Sequence, residues 1–194
     1  MIFEKALAYF GSEPFASHPS LSFNVSNRRL FSAALKDATT AAKDYQGTVA
    51  FELLESILLD EVDEAANMQL DMLREANIRI EIDDFGSGHA SIIALDQVAP
   101  DAIKIDGRLV MAMAHSKRSA RMVRSIVELA HALEFSVTAE GVETAELART
   151  LQGFGVDKLQ GYYFGRPAPF EEVLPIIGNN AGMRGQKTGR KTRL

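Results

Sequence analysis

The sequence predicts an α/β fold, a (β/α) barrel of the TIM type. Extended apolar segments alternate along the chain with segments of helical period, which is typical of parallel strands joined by crossover helices. Six of the extended segments also end at or near a polar or ionisable residue, and active sites of (β/α) barrels are built at the carboxyl ends of their strands. The competing architecture is a doubly wound open sheet, which focuses ligands at one crevice and so explains six polar strand ends less well.

The individual elements follow from the same patterns. Glu4–Leu7 has a helical pattern and precedes the first strand. The predicted strands are Leu21–Val25, Thr48–Leu53, Ile78–Ile82, Ala102–Ile105, Phe135–Ala139 and Lys158–Tyr163. Two of the intervening helices are predicted from apolar residues three or four positions apart, which are Leu59, Val62, Ala66, Leu70 and Leu73 in one and Met122, Ile126, Leu129 and Leu133 in the other.

The composition indicates one globular domain. The chain has 194 residues, is 46% hydrophobic and contains no cysteine, which excludes a disulfide framework and a thiolate zinc site. It contains no apolar run of the length that a membrane helix needs and no signal-peptide pattern at the N-terminus, so we expect a cytoplasmic location. We assign residues 1–178 to the barrel and residues 179–194 to a basic, disordered tail. The net charge of −5 argues against binding to a nucleic-acid polymer.

Among the strand ends, the pair Asp83–Asp84 is the most informative. Two adjacent carboxylates after a buried strand are costly unless a cation offsets their charge or water solvates them. One interpretation is therefore a metal site. The other is a solvated loop in which Asp84 or Ser87 caps the helix that follows.

The remaining strand ends favour the metal site. Hard oxygen donors select Mg²⁺ or Mn²⁺ over zinc or copper, and several carboxylates with an amide can hold two ions. Lys104 lies on a buried strand, where an unpaired charge is costly. It either points into the acidic site, where it orients the attacking water or stabilises phosphate charge, or forms a structural ion pair with Asp106 or a neighbouring carboxylate. The candidate metal ligands are Asn24, Glu52, Asp83, Asp84 and Glu140.

Six motifs, in order along the chain, resemble those of EAL domains. These are bacterial phosphodiesterases of second-messenger signalling that open cyclic di-GMP to linear pGpG with Mg²⁺ or Mn²⁺. The resemblance extends from about residue 20 to about residue 175. The motifs are Phe23-Asn24-Val25-Ser26, Glu52-Leu53-Leu54-Glu55-Ser56, Asp83-Asp84-Phe85-Gly86-Ser87-Gly88, Ile103-Lys104-Ile105-Asp106, Ala139-Glu140-Gly141-Val142-Glu143 and Leu159-Gln160-Gly161-Tyr162-Tyr163-Phe164-Gly165-Arg166-Pro167.

The resemblance implies a barrel fold, a homodimer, cyclic di-GMP as ligand and Mg²⁺ or Mn²⁺ as cofactor. It implies metal ligation by the five oxygen-bearing residues given above. Lys104 would help to position the hydrolytic water, with Glu140 as its base or as a metal ligand. Gln160 would lie near the metals or the substrate, Glu55 would brace the glycine-rich loop, and Asp106 would support the site.

Two departures from the family pattern lead to a second hypothesis. Leu54 stands where the family usually has threonine. The signature Glu-Ala-Leu segment does not precede Asn24 in a suitable strand, so we expect an incomplete barrel that lacks its first strand, together with a metal-ligating glutamate and an arginine for substrate phosphate. The alternative to a phosphodiesterase is a catalytically inactive cyclic di-GMP receptor or a protein-interaction module.

Overall fold

A computed structural model describes residues 2–12, 18–32, 34–58, 64–88, 91–169 and 172–173. The helices are α1 Ile2–Ser12, α2 Asn27–Leu30, α3 Ala34–Lys43, α4 Glu64–Glu75, α5 Ile92–Val98, α6 Gly107–Ala112, α7 Lys117–Ala132 and α8 Ala145–Gly153. The strands are β1 Leu21–Val25, β2 Val49–Leu54, β3 Ile78–Phe85, β4 Ala102–Ile105, β5 Ser136–Ala139 and β6 Lys158–Leu159. A 3-10 helix, Glu55–Leu58, follows β2. The predicted tail at residues 179–194 and the domain boundary at residue 178 lie outside the described residues.

All six strands pair in parallel in chain order, from β1 to β6. This confirms the predicted alternation of strands with crossover helices. Within the described residues the sheet is not closed, since β1 and β6 each have one neighbouring strand. Among these residues every helix is too short or too polar to cross a lipid bilayer.

The two faces of the sheet differ in chemistry. Phe51 is in register with Ile80, and Ile103 is in register with Val137; all four side chains are buried in the apolar core. Alternate residues point to the opposite face, where register places Glu52 beside Asn24 and Glu81, and Lys104 beside Thr138. Burial of the apolar face stabilises the fold, while the polar face is left for a site.

The N-terminal helix α1 packs against the apolar face. The ring of Phe3 contacts Phe23 of β1 and Phe51 of β2 edge to face, at centroid distances of 4.6 and 5.5 Å. Because Phe23 and Phe51 are themselves in register, one aromatic ring of α1 covers two adjacent strands. The helical pattern near the N-terminus is therefore confirmed.

The predicted helix faces are confirmed in part. In α4 the predicted residues Ala66, Leu70 and Leu73 are buried, while Leu59 and Val62 lie outside the described residues. In α7 the buried residues are Val123, Val127 and Ala130, and the predicted Met122 is 44% exposed. The apolar stripe of α7 is wide, and the sheet contacts its middle rather than the edge that the spacing favoured.

Three strand ends differ from the prediction, and the smallest difference is that β2 ends at Leu54 rather than Leu53. Strand β6 stops at Leu159 rather than Tyr163 because the chain turns back on Val142, whose N–H donates to the Gln160 carbonyl at 3.0 Å. A Cβ on Gly161 would lie 2.3 Å from the Val142 nitrogen, so this close approach requires glycine. Strand β3 runs on to Phe85 rather than ending at Ile82.

Two aspartates tie neighbouring strands together at their amino ends. Asp101 Oδ2 accepts the Ile80 N–H at 2.8 Å, and Asp157 Oδ2 accepts the Val137 N–H, also at 2.8 Å. Asp157 Oδ2 also lies 3.0 Å from His131 Nε2. Burial alone would raise the pKa of Asp157, but the bonds to His131 and to the Val137 N–H outweigh burial and lower this pKa.

Replacing Asp157 with alanine should lower the free energy of unfolding by about 1 kcal/mol, a value reduced because the group is partly exposed. Since the pKa of Asp157 is lowered by folding, its stabilisation is present above the ordinary aspartate range and is lost as pH falls through the folded value. Urea denaturation at about pH 7 and below about pH 3 measures both effects. Asp71→Ala, at a 67% exposed side chain, is the control, and an equal loss in both variants would contradict the assignment.

Candidate metal centre and adjoining clefts

A β-bulge brings Asp83 and Asp84 to the same side of the sheet. Ile82 pairs with Ile103 and Phe85 pairs with Ile105, so β3 advances three residues over the distance in which β4 advances two. Asp84 takes the extra position with φ 55°, a left-handed conformation that aspartate tolerates better than most residues. In a regular strand these neighbours would point to opposite faces. The bulge instead brings carboxylate oxygens of Asp83, Asp84 and Glu140 within 4.8 Å of one another.

Lys104 stands among the carboxylates as their counter-ion. Its ammonium donates a hydrogen bond to Glu52 Oε2 at 2.8 Å. It also forms ion pairs with Asp83 Oδ1 at 2.9 Å and Glu140 Oε1 at 2.7 Å. The lysine side chain is 5% exposed, and its partners come from β2, β3 and the residue after β5. One buried cation therefore joins the carboxyl ends of three other strands.

One ammonium stands among several carboxylates at this end of the sheet, and burial and these charges shift the pKa values of Lys104, Glu140 and Asp84. Burial alone would lower the pKa of Lys104, but its contacts with Glu140, Glu52 and Asp83 raise it strongly. Burial raises the pKa of Glu140, against the attraction of Lys104 and helped by the charges of Asp83 and Glu52. Burial, then the charges of Asp83 and Asp106, raise the pKa of Asp84. The negative charge at this end of the sheet thus exceeds what Lys104 supplies.

The donor set fits a hard divalent cation. Asp83 Oδ1 is buried and lies 2.9 Å from the Lys104 ammonium, and this contact leaves a lone pair that can coordinate a cation. The grouped ligand atoms of Asp83, Asp84 and Glu140 are all carboxylate oxygens, the type that Mg²⁺ and Mn²⁺ prefer. A cation there would favour the charged form of Asp84, whose pKa is raised first by burial and then by the charges of Asp83 and Asp106.

The other predicted ligands, Asn24 and Glu52, lie side by side on β1 and β2. Both line a cleft of about 360 Å³ together with Leu54 and Arg29. Arg29 is not among the site residues predicted from the sequence. Its position three residues after Ser26, in the turn of helix that follows β1, was a usable signal, since one helical turn returns a side chain toward the strand end.

Gln160 lines a second and larger cleft, of about 590 Å³, which also contains Lys104 and Glu52. This cleft runs along the polar face of the sheet and is closed on one side by the segment after β6. In that segment the guanidinium of Arg166 stacks over the ring of Tyr162 at 4.7 Å. The volume of this larger cleft lies in the range of small-molecule sites.

Glu55 holds the loop that follows the aspartate pair. Its Oε2 accepts the Gly88 N–H at 2.8 Å and the Ser87 hydroxyl at 3.1 Å. The side chain is buried, so these bonds act in a low dielectric. The alternative in which Asp84 or Ser87 caps the next helix is wrong, because Ser91 caps α5 by accepting the Ala94 N–H at 3.4 Å.

Asp106 does not join the carboxylate cluster around Lys104. It caps α6 by accepting the Arg108 N–H at 2.7 Å, and the Arg108 guanidinium donates to it as well. Hydrogen bonding to Arg108 outweighs burial and lowers the pKa of Asp106. Of the two structural partners considered for Lys104, the neighbouring carboxylates are therefore the ones it contacts.

A close approach of two glycines fixes the backbone beside Glu140. Gly141 has φ 65°, and a Cβ there would lie 2.9 Å from the Gly107 Cα. The loop after β5 therefore lies directly against the start of α6. This contact fixes the backbone position from which the Glu140 side chain extends.

Comparison with known proteins identifies the family. The sequence matches the EAL domain family over residues 1–167. The chain belongs to the EAL domain family. This match begins well before the first of the motifs that carry the resemblance.

Similar proteins agree with this assignment. The cyclic di-GMP phosphodiesterase PdeF of Escherichia coli is 37% identical over 127 residues, which are 66% of this chain and 17% of PdeF. The EAL domain of Mycobacterium smegmatis DcpA superposes with a TM-score of 0.81 at 25% identity, covering 92% of this chain and 82% of that one. Klebsiella pneumoniae BlrP1, in complex with manganese and cyclic di-GMP, has a TM-score of 0.72 at 29% identity, covering 85% of this chain and 43% of that one. EAL structures are TIM-like barrels, which confirms the predicted fold class.

Replacing Glu55 with alanine should loosen the loop at Gly86–Gly88, because the Gly88 N–H and the Ser87 hydroxyl lose their acceptor. We expect a loss of about 2 kcal/mol in stability, as for a buried charged hydrogen bond. Amide hydrogen exchange should rise most at Gly88. Glu75→Ala, at an exposed glutamate, is the control, and unchanged exchange at Gly88 in Glu55→Ala would rule out the bracing role.

Proposed function

We propose that this EAL domain hydrolyses cyclic di-GMP to linear pGpG with Mg²⁺ or Mn²⁺. The observation that carries the proposal is the gathering of Asp83, Asp84 and Glu140 within 4.8 Å, where the Lys104 ammonium contacts Asp83 and Glu140. A half-buried acidic cluster of this kind has little structural value by itself, since its charges repel one another. It is suited to holding a cation.

We assign cation binding to Asp83, Asp84, Glu140, Glu52 and Asn24. A divalent cation bound there would stabilise charge on the phosphoryl oxygens and lower the pKa of a bound water. Glu52 borders both clefts, so a phosphodiester that reached the cluster would lie between them. The BlrP1 complex, which holds manganese with cyclic di-GMP, supports the choice of ligand and metal type.

The reaction that this arrangement supports is a single displacement at phosphorus. The oxygen of a water molecule forms a bond to phosphorus, and the bond from phosphorus to the 3′ oxygen breaks. The linear product then carries a 5′-phosphate and a 3′ hydroxyl, whose oxygen takes its proton from solvent. Glu140 accepts the proton of the water, and Lys104 orients the water and the phosphoryl group. Gln160 and Arg29 line the clefts on either side, where they can contact the nucleotide.

A second candidate is a receptor that binds cyclic di-GMP without turnover. The observation that favours it is the free edge of β1 beside Asn24, since the sheet is not closed among the described residues. A site that lacks one wall can retain affinity for a ligand and lose the geometry that the reaction needs. Incubation with cyclic di-GMP and Mn²⁺ followed by chromatography separates the two candidates: pGpG supports the phosphodiesterase, and calorimetric binding without product supports the receptor.

We also propose that the domain acts in the cytoplasm as a homodimer. The support for a dimer is an apolar patch on α5, where Ile92 is 57% and Ile93 is 73% exposed. Helix α5 follows the loop that carries Ser87 and Gly88, so a partner on α5 would lie near the aspartate pair. Adjacent exposed isoleucines are unusual on a face that meets only water.

Replacing Asp83 with asparagine should lower metal-dependent pGpG formation by about 100-fold or more, equivalent to about 3 kcal/mol in the barrier. The amide removes one negative charge from the cluster and offers a weaker ligand. Initial rates of pGpG formation with saturating Mn²⁺ measure the effect. Asp71→Asn is the control, and Asp83→Asn with wild-type turnover would refute the metal assignment.

Replacing Ile93 with glutamate should convert the dimer to a monomer, because a charge would be buried at the contact. Size-exclusion chromatography with light scattering gives the mass directly. Met68→Glu, at a 62% exposed residue of α4, should leave the mass unchanged. A dimeric Ile93→Glu would place the contact elsewhere.

A further inference from the structure

We propose that the Lys104 ammonium is a resident counter-ion of the metal-free site, and that a divalent cation binds by displacing it from its carboxylates. This inference rests on the metal site of the proposed function and assigns Lys104 a role before any substrate arrives. Lys104 is here a positioning residue that limits the affinity of the site for metal.

The same carboxylates serve the lysine and the candidate cation site. Asp83 and Glu140 belong to the group of oxygens within 4.8 Å, and both form ion pairs with Lys104, at 2.9 and 2.7 Å. A cation that binds the carboxylates of Asp83 and Glu140 would therefore share these carboxylates with the ammonium or replace it. Two cations held by one pair of carboxylates repel each other strongly in a partly buried site.

The metal-free cluster depends on Lys104 for its stability. The side chains of Glu52, Asp83 and Glu140 are 12%, 14% and 21% exposed, so water solvates them only in part. Without a cation, three such carboxylates would repel one another or bind protons. Lys104 offsets this repulsion, and metal binding has to compensate for the ion pairs it breaks.

The surroundings give the displaced ammonium a place to go. Lys104 lines the cleft of about 590 Å³ together with Glu81 and Thr138, and a lysine side chain is long and flexible enough to change rotamer within it. Glu81 faces the same side of the sheet, and its Oε1 lies 3.9 Å from Lys158 Nζ. Metal loading would thus turn a buried counter-ion into a cation available to an anionic ligand.

The test is the affinity of the substrate-free protein for Mn²⁺ alone, measured by isothermal titration calorimetry. Lys104→Gln keeps a hydrogen-bonding side chain but removes the charge, so it should bind Mn²⁺ at least about tenfold more tightly than wild type. Its melting temperature without metal should be lower than that of wild type. Lys104→Arg retains the charge and should bind no more tightly than wild type.

Lys117→Gln, the same change at an exposed residue at the start of α7, controls for net charge and should leave the affinity unchanged. Equal or weaker Mn²⁺ binding by Lys104→Gln would overturn the inference, as would no Mn²⁺ binding by either protein. Tighter Mn²⁺ binding by Lys104→Gln, together with no pGpG formation by the wild-type protein, would instead retain the inference and reject the phosphodiesterase activity.

A measurement on wild type covers the case in which Lys104→Gln does not fold. In protein with isotope-labelled lysine, the side-chain NMR signals of Lys104 should shift on titration with diamagnetic Mg²⁺, while those of Lys117 should not. Absence of a Lys104 shift at saturating Mg²⁺ would show that the ammonium stays in place, which contradicts displacement.

Discussion

The carboxylates at the carboxyl end of the sheet can share one place only because a cation stands among them. Glu52, Asp83 and Glu140 come from separate segments, and each lies within 2.9 Å of the Lys104 ammonium. The parallel register brings these strand ends together, and the buried lysine makes their proximity tolerable. Asp84 adds a further carboxylate to Asp83 and Glu140, so the carboxylates outnumber the one ammonium. Both the proposed metal site and the proposed displacement of Lys104 follow from this imbalance.

Backbone irregularities, rather than side-chain choice alone, give the site its geometry. The bulge at Asp84 adds one residue to β3 and turns a second carboxylate inward. The contact of Gly107 with Gly141 fixes the path of the backbone at Glu140, directly after β5. The apolar core on the other face of the sheet supplies the free energy that tolerates both features. The site is therefore local in position but supported by the whole sheet.

The sequence predicted the parallel strands and the polar strand ends because both follow from periodicity, which is a local property. It could not predict the bulge, since Asp83-Asp84 in a regular strand and in a bulged one have the same letters. The predicted end of β6 is wrong because the turn after this strand depends on the approach of Val142 to Gln160. Val142 lies eighteen residues before Gln160 in the chain and is adjacent to it only in the fold. Met122 was placed on the buried face because a wide apolar stripe does not show which of its edges meets the sheet.

Ligands drawn from several strands couple metal binding to folding. A cation held by Glu52, Asp83 and Glu140 would link β2, β3 and the end of β5, which otherwise meet through backbone ladders and Lys104. Any ligand that binds only the folded chain stabilises it in proportion to the logarithm of its concentration above the dissociation constant. The ammonium already supplies part of this linkage. The stabilisation gained on metal binding is therefore the stabilisation by the metal ion minus the stabilisation by Lys104 that is lost. A site of this design stays folded without metal and binds it more weakly than its carboxylates alone would allow.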